Sequence, residues 1–257
     1  MMILSPHWIG ALLILGLCMP AGESRASASQ SGKPQCDTPA ALTALQAPLP
    51  HVAAKFAAGK PVTVVAIGSS STAGAGASLP GHSYPAQLAR LWPKYLPGLQ
   101  VTVLNRGRNG EEIPQMLERF EADVANAQPD LVIWQFGTNA ILRNNGIAAF
   151  AAPLQDGLNR LRAIGADIVL VDLQYAPLVL GDADHQAMQI MIGKAAQQNG
   201  IGLFRRFTIM KHWVDSGQMV LAQQVGPDGL HHNDFGYLCL AKGLASGLTQ
   251  ATRKALR

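Results

Sequence analysis

Four short stretches of this 257-residue chain carry groups that can do acyl-transfer chemistry. Asp228-Gly229-Leu230-His231-His232-Asn233 sets a carboxylate three residues before an imidazole. Such an Asp can accept from the imidazole Nδ1–H and leave Nε2 free to take a proton from a hydroxyl. Two turn histidines beside a helix start are the plain alternative. Gly68-Ser69-Ser70-Ser71-Thr72-Ala73-Gly74 supplies hydroxyls. It lacks the Gly-Lys-Ser/Thr ending of a phosphate loop and the Gly-x-Gly-x-x-Gly spacing of a dinucleotide turn. Nor is it a Gly-x-Ser-x-Gly elbow, because Thr72 stands at the last glycine. By itself a Ser-rich turn is usually a helix cap. Asn105-Arg106-Gly107-Arg108-Asn109-Gly110 precedes Glu111, Glu112 and Pro114, residues suited to a helix N-terminus. Gly110 there offers a backbone N–H, or merely makes the turn. Gly137-Thr138-Asn139 offers a short amide whose nitrogen can donate, or an ordinary turn.

These groups need a scaffold that brings loop ends together. Short β-branched runs at 62–67, 101–105, 131–136, 167–172 and 201–204 alternate with amphipathic stretches, the pattern of a parallel sheet covered on both faces. Tyr84, Leu88, Leu91 and Tyr95 space as one helix; Ile113, Met116, Leu117, Phe120 and Val124 space as another. Both stripes are predicted to be core. In open α/β sheets ligands gather at the carboxyl ends of the strands, and three of the four stretches directly follow predicted strands. No fixed-period repeat or internal linker divides the chain after its N-terminal segment.

Taken together and in this order, glycine-flanked Ser, Asn-x-x-x-x-Gly, Gly-x-Asn and Asp-x-x-His resemble the SGNH hydrolases, often called GDSL esterases and lipases. The resemblance covers most of the chain. It implies a three-layer α/β/α sandwich with five parallel strands in the flavodoxin-like order 2-1-3-4-5. It also implies Ser70 as nucleophile, Asp228 and His231 as its triad partners, and an oxyanion hole from Ser70, Gly110 and Asn139. The implied activity is hydrolysis of a carboxylic ester through an acyl-enzyme, with no cofactor and no metal. Three positions depart from the family pattern: Ser69 replaces the Asp of Gly-Asp-Ser, Ala140 the Asp after Asn, and His232 a frequent Pro. Exported enzymes of this family commonly act on acyl groups of carbohydrates or on lipid esters. Gln135, Gln174 and Tyr175, at the ends of the third and fourth strands, are the candidate substrate contacts. Trp134 reads as packing.

The remaining features bound the setting. Residues 9–19 are apolar but too short for a bilayer span of about 20 residues, and small residues follow to Ala26-Ser27-Ala28. This predicts a signal peptide over 1–28, a linker and packed helix over 29–60, and the hydrolase domain over 61–257, with a periplasmic or secreted destination. Tyr237, Leu240, Ala241, Leu244 and Leu248 form one stripe of a final helix, which puts Cys239 near its outer face. In an oxidising compartment a Cys36–Cys239 disulfide is predicted, strapping the N-terminal segment across that helix; two free thiols are the alternative. Hydrophobic residues are 48% and charged residues 14%, with a net charge of +4. Arg205-Arg206 and the tail Arg253, Lys254, Arg257 are not interleaved with aromatics, which argues against nucleic acid. Other readings are an O-acyltransferase using the same triad and a non-catalytic glycan-binding protein. A metal-dependent hydrolase built on His231, His232 and Asp234, or on Asp182, Asp184 and His185, matches no standard ligand spacing.

Overall fold

The computed structural model describes residue 2 and residues 34–257. Apart from residue 2, the predicted signal peptide and the first part of the linker lie outside the described residues. Among the described residues five strands form one parallel sheet in the order β2-β1-β3-β4-β5. The helices α1 (Ala40–Thr43) and α2 (Pro50–Ala57) come first. Then follow β1 (Val62–Gly68), α3 (Ser70–Ala73), α4 (Tyr84–Tyr95) and β2 (Val101–Gly107). Next are α5 (Ile113–Glu118), α6 (Phe120–Asp123), β3 (Leu131–Gln135), α7 (Thr138–Leu142) and α8 (Ala151–Ala163). The chain ends with β4 (Asp167–Val171), α9 (Pro177–Leu180), α10 (His185–Asn199), β5 (Gly202–Phe204), α11 (Arg206–Asp215) and α12 (Asp234–Ala255).

The central strands β3 and β4 are buried along their whole length, as near-continuous apolar runs must be when both faces are covered. β2, at an edge, is only partly buried. Successive residues of a strand face opposite sides, and β3 shows what each side meets. Trp134 donates its indole N–H to the Met116 sulfur on α5, and α8 lies beside α5. Gln135 points the other way, to Thr72 and through it to Tyr84 on α4, against which α12 packs. The sheet therefore lies between two helical layers, and burying each of its Val, Leu or Ile side chains contributes roughly 1.5–3 kcal/mol.

Register sets up the site. Gly107, Gly68, Gln135, Val171 and Phe204 pair in turn across the sheet as one transverse row. Every strand ends on that row, so the residues that follow it emerge side by side.

Two expectations need adjusting. The predicted helix through Ile113 and Val124 is two short helices separated at Arg119, which turns its guanidinium inward to Glu111 (2.8 Å) and Asp123 (2.7 Å). Tyr95, at the end of its stripe, is exposed. The N-terminal segment as far as it is described lies on the domain: Gln35 and Asp37 bond Gln218, and Trp213 donates to Thr38 Oγ1 (2.8 Å).

The Cys36–Cys239 disulfide is present, with Cα atoms 5.6 Å apart. Cys239 is nevertheless fully buried, because α12 is covered on its outer side as well. Thr43 bonds Ser246 there (3.2 Å), and the backbone of Thr43 lies too close to Gly247 for any Cβ. A helical wheel sees one helix and cannot register the strap that crosses it. Among the described residues no helix is long and apolar enough to cross a membrane.

Candidate active site

Ser70 opens α3 directly after β1. The turn is held from below by Gln135, whose Oε1 accepts from the Ser69 N–H (3.1 Å), the Ser69 hydroxyl (3.0 Å) and the Thr72 hydroxyl (3.2 Å). Three donors on one fully buried amide oxygen leave the turn little freedom. From the side, β2 approaches so closely that a Cβ on Gly107 would strike the Thr72–Ala73 backbone, and the Arg108 N–H bonds the Gly68 carbonyl (3.0 Å). Ser69, standing where the family pattern has Asp, spends its hydroxyl on Gln135 and is itself buried.

The Ser70 hydroxyl lies 2.8 Å from His231 Nε2, although the two residues are 161 positions apart. His231 Nδ1 lies 2.6 Å from Asp228 Oδ2. Asp228 Oδ1 accepts the N–H groups of Leu230 and His231, both at 3.0 Å, closing the turn that carries the imidazole. Partial burial works against the charged Asp228, but those N–H groups and His231 outweigh it and hold the carboxyl below the usual range. A charged carboxylate only accepts, so Nδ1 carries the proton and Nε2 faces the hydroxyl as acceptor. The loop is anchored by the Gly226 N–H to the His231 carbonyl (2.8 Å) and by Asn233 Oδ1, which caps α12 at the Gly236 N–H (2.9 Å).

The opposite side is built from Gly110 and Asn139. Gly110 has φ +76°, left-handed backbone that a side chain would strain. Its carbonyl accepts from Arg143 Nη2 (2.8 Å), while Arg143 Nη1 bonds Glu112 (2.7 Å). Asn139 Nδ2 donates to the Glu111 carbonyl (2.9 Å), which fixes the amide and leaves its second N–H available. Glu111 is in turn gripped by the buried Arg119. Among the described residues, the Ser70 and Gly110 N–H groups have no protein acceptor. The arrangement offers a hydroxyl, a base in the right tautomer, and N–H donors on adjoining loops.

Gln135 and Gln174, expected as substrate contacts, are buried: Gln135 spends its oxygen on the Ser69–Thr72 turn while its Nε2 has no partner, and Gln174 spends both ends of its amide on the protein. Strand-end position was a poor guide for them because both side chains turn inward, under the loops rather than over them. Tyr175 is half-buried, edge-on to Phe207 at 5.2 Å. Trp134 is core, as its packing reading holds. The residues of the metal readings go separate ways: Asp234 bonds Ser78 and His82, and the Asp182 carbonyl pairs with His185 Nδ1. Among the described residues no three such groups converge. The contacts of Arg143, Arg119 and Arg206 are not legible in the sequence, where Arg206 stands out only as half of a basic pair, since no local motif marks a long cation that meets its partner across a chain reversal.

His232, next to His231, is fully buried against Tyr237. Burial first, then the Arg206 charge, pushes its pKa down to about 3, although the Gln224 backbone favours the proton. A depressed histidine contributes stability that is present above the unfolded value near 6.5 and lost as pH falls through the folded one. Asp172, pushed up to about 7 by burial despite the Phe207 N–H and Arg206, acts oppositely: its contribution is lost as pH rises. His232→Leu should therefore lose stability relative to wild type as pH rises from 4 to 6.5, by up to about 1.4 kcal/mol per pH unit. Urea midpoints across that range measure it, and parallel curves would refute it.

A family model described as non-GDSL lipase-like matches residues 35–254. A search of curated proteins finds no match. Solved structures share the fold. A two-domain esterase active on acetylated mannans, crystallised with mannopentaose, superposes with TM-score 0.67 at 21% identity, over 82% of this chain and 55% of that one. This chain thus spans about half of that protein. An acetyl xylan esterase of Geobacillus stearothermophilus gives 0.62 at 18%, over 73% and 94%. A GDSL-like lipase of Parabacteroides merdae gives 0.63 at 19%, over 74% and 97%.

Proposed function

Because this chain belongs to the non-GDSL lipase-like family, we propose that it is a carboxylic ester hydrolase in which Ser70 is acylated and then deacylated by water. The observation that carries this reading is the unbroken line from Asp228 through His231 to the Ser70 hydroxyl, at 2.6 and 2.8 Å. His231 Nε2 takes the hydroxyl proton as Oγ attacks the ester carbonyl. The carbonyl oxygen becomes an anion, met by the N–H groups of Ser70 and Gly110 and by the Asn139 amide. The imidazolium, stabilised by Asp228, then gives its proton to the departing alcohol. Water attacks the acyl-enzyme by the same route in reverse, releasing the acid and freeing Ser70.

The substrate is an O-acyl group on a carbohydrate. What supports this is the kind of protein that shares the fold, namely esterases named for acetylated mannan and acetyl xylan. Export, with removal of residues 1–28, fits the disulfide, which forms and persists in oxidising compartments. The test is release of acetate from acetylated xylan and mannan, and of p-nitrophenol from short-chain esters. No turnover of any ester by the folded wild type would refute the reading.

Asn139→Ala should lower kcat by about 100- to 1000-fold, with a much smaller change in KM, because its amide meets a charge that exists only in the transition state. Steady-state kinetics on p-nitrophenyl acetate measure this. A loss confined to KM would place Asn139 in ground-state binding instead.

A further inference from the structure

Beneath the loops that carry Asn139 and His231 lies one buried amide that touches both. Gln174, just past the end of β4, is 1% exposed. Its Oε1 accepts from the Thr138 hydroxyl (2.9 Å) and from Arg206 Nη2 (2.8 Å). Its Nε2 faces the Leu230 carbonyl at 3.4 Å. Thr138 is the residue before Asn139, and Leu230 the residue before His231.

The amide has only one workable orientation. A guanidinium can only donate, so the oxygen must face Arg206, and the nitrogen is thereby turned to Leu230. Arg206 itself is fully buried, and its Nε is fixed on the Asp172 carbonyl at 2.9 Å. Among the described residues no carboxylate lies within ion-pairing distance of it. Arg206 feels the charge of the buried Asp172 carboxyl without a direct ion pair, and its Nη1 has no partner. Burying a cation so incompletely paired is costly, and replacing such a group by apolar side chains is often neutral or stabilising. Stability is thus a weak reason for a cation here, whereas orienting one amide beneath two loops is a use that matches its contacts.

We infer that Gln174, oriented by the buried Arg206, is a positioning residue that sets the helix bearing Asn139 and the loop bearing His231 at one fixed separation. The inference rests on the esterase reading above and adds to it the element that joins the oxyanion side of the site to the base side. Neither loop bonds the other through its own motif residues; the Leu178 N–H on α9, which packs against α7, holds the Gly229 carbonyl at 3.1 Å, and this amide is the buried polar group that touches both sides directly. A displacement of about 1 Å between such groups can cost on the order of 100-fold in rate.

The experiment compares wild type with Gln174→Glu and Thr138→Val on p-nitrophenyl acetate, with Ser70→Ala as the control for the chemistry. Glutamate keeps an acceptor for Thr138 and Arg206 and gains an ion pair with the latter. It turns an acceptor oxygen onto the Leu230 carbonyl, which pushes the base loop away. Gln174→Glu, folded by circular dichroism and assayed well below its melting temperature, should lose about 10- to 100-fold in kcat with KM changed no more than about twofold. Wild-type kcat in that folded variant would overturn the inference. If Gln174→Glu does not fold, Thr138→Val decides: it should lose about three- to tenfold in kcat, with most of the loss recovered in Thr138→Ser. Wild-type kcat in Thr138→Val, or no recovery in Thr138→Ser, would overturn it. Activity that survives in Ser70→Ala, or is absent from wild type, instead removes the esterase reading itself and this inference with it.

Discussion

Ser70→Ala is expected to lower kcat on p-nitrophenyl acetate by about a million-fold, leaving the fold and its melting temperature almost unchanged. The magnitude follows from what the residue does: without the hydroxyl no acyl-enzyme forms, and only oxyanion donors and binding remain to accelerate attack by water. His231→Ala should fall nearly as far, and the double variant little further, because nucleophile and base act as one unit. Asp228→Asn should keep the loop but favour the wrong tautomer, costing on the order of 10,000-fold. The neighbouring hydroxyls provide an internal control. Ser69 spends its hydroxyl on Gln135, and among the three serines it is the Ser70 hydroxyl that meets His231, so neither Ser69 nor Ser71 should accept a fluorophosphonate label. Mass spectrometry of the labelled peptide identifies the reacting serine. Label on Ser69 or Ser71, or full activity in Ser70→Ala, would refute the assignment.

Reduction of Cys36–Cys239 is expected to remove about 2–5 kcal/mol of stability, seen as a melting temperature roughly 5–15 °C lower. The half-cystines are 203 residues apart. Loop closure of that length, on the chain-entropy account, lies at the upper end of what a disulfide contributes, about 5 kcal/mol. Native contacts make up part of the difference once the bond is gone. Leu45 and Leu49 stay buried, and the Gln218 and Trp213 bonds still hold the strap. The strap crosses α12 away from the nucleophile turn, so kcat at 25 °C should change little. Scanning calorimetry with and without reductant, and of Cys36→Ser, measures the effect. Equal melting temperatures would show that packing alone holds the segment.

The Ser70 turn and the Asp228–His231 loop, on which the proposed chemistry rests, stand out in the sequence because each motif is local and each sits where a strand or helix boundary can be recognised from periodicity. The sheet order came with the family resemblance, since strand pairing leaves no local mark in the chain. The disulfide was legible from two cysteines and a compartment, but the burial of Cys239 was not. That Gln135 and Gln174 lie buried was not legible for a related reason. Position after a strand says which end of the sheet a residue occupies; whether the side chain rises over the loops or turns beneath them depends on what packs there.

By itself, then, the sequence determined which groups the proposed ester chemistry would use, the strand-and-helix alternation that carries them, and the loops on which they sit. Only the tertiary structure decided that the Ser70 hydroxyl meets His231, that Gln135 holds the nucleophile turn, that Arg143 grips the Gly110 carbonyl, and that Gln174 and Arg206 lie between the two sides of the site. The reason is physical. Helix and strand periodicity, caps and turns arise from contacts a few residues apart, whereas a hydrogen bond between residues 32 or 161 positions apart exists only after the sheet has set its register.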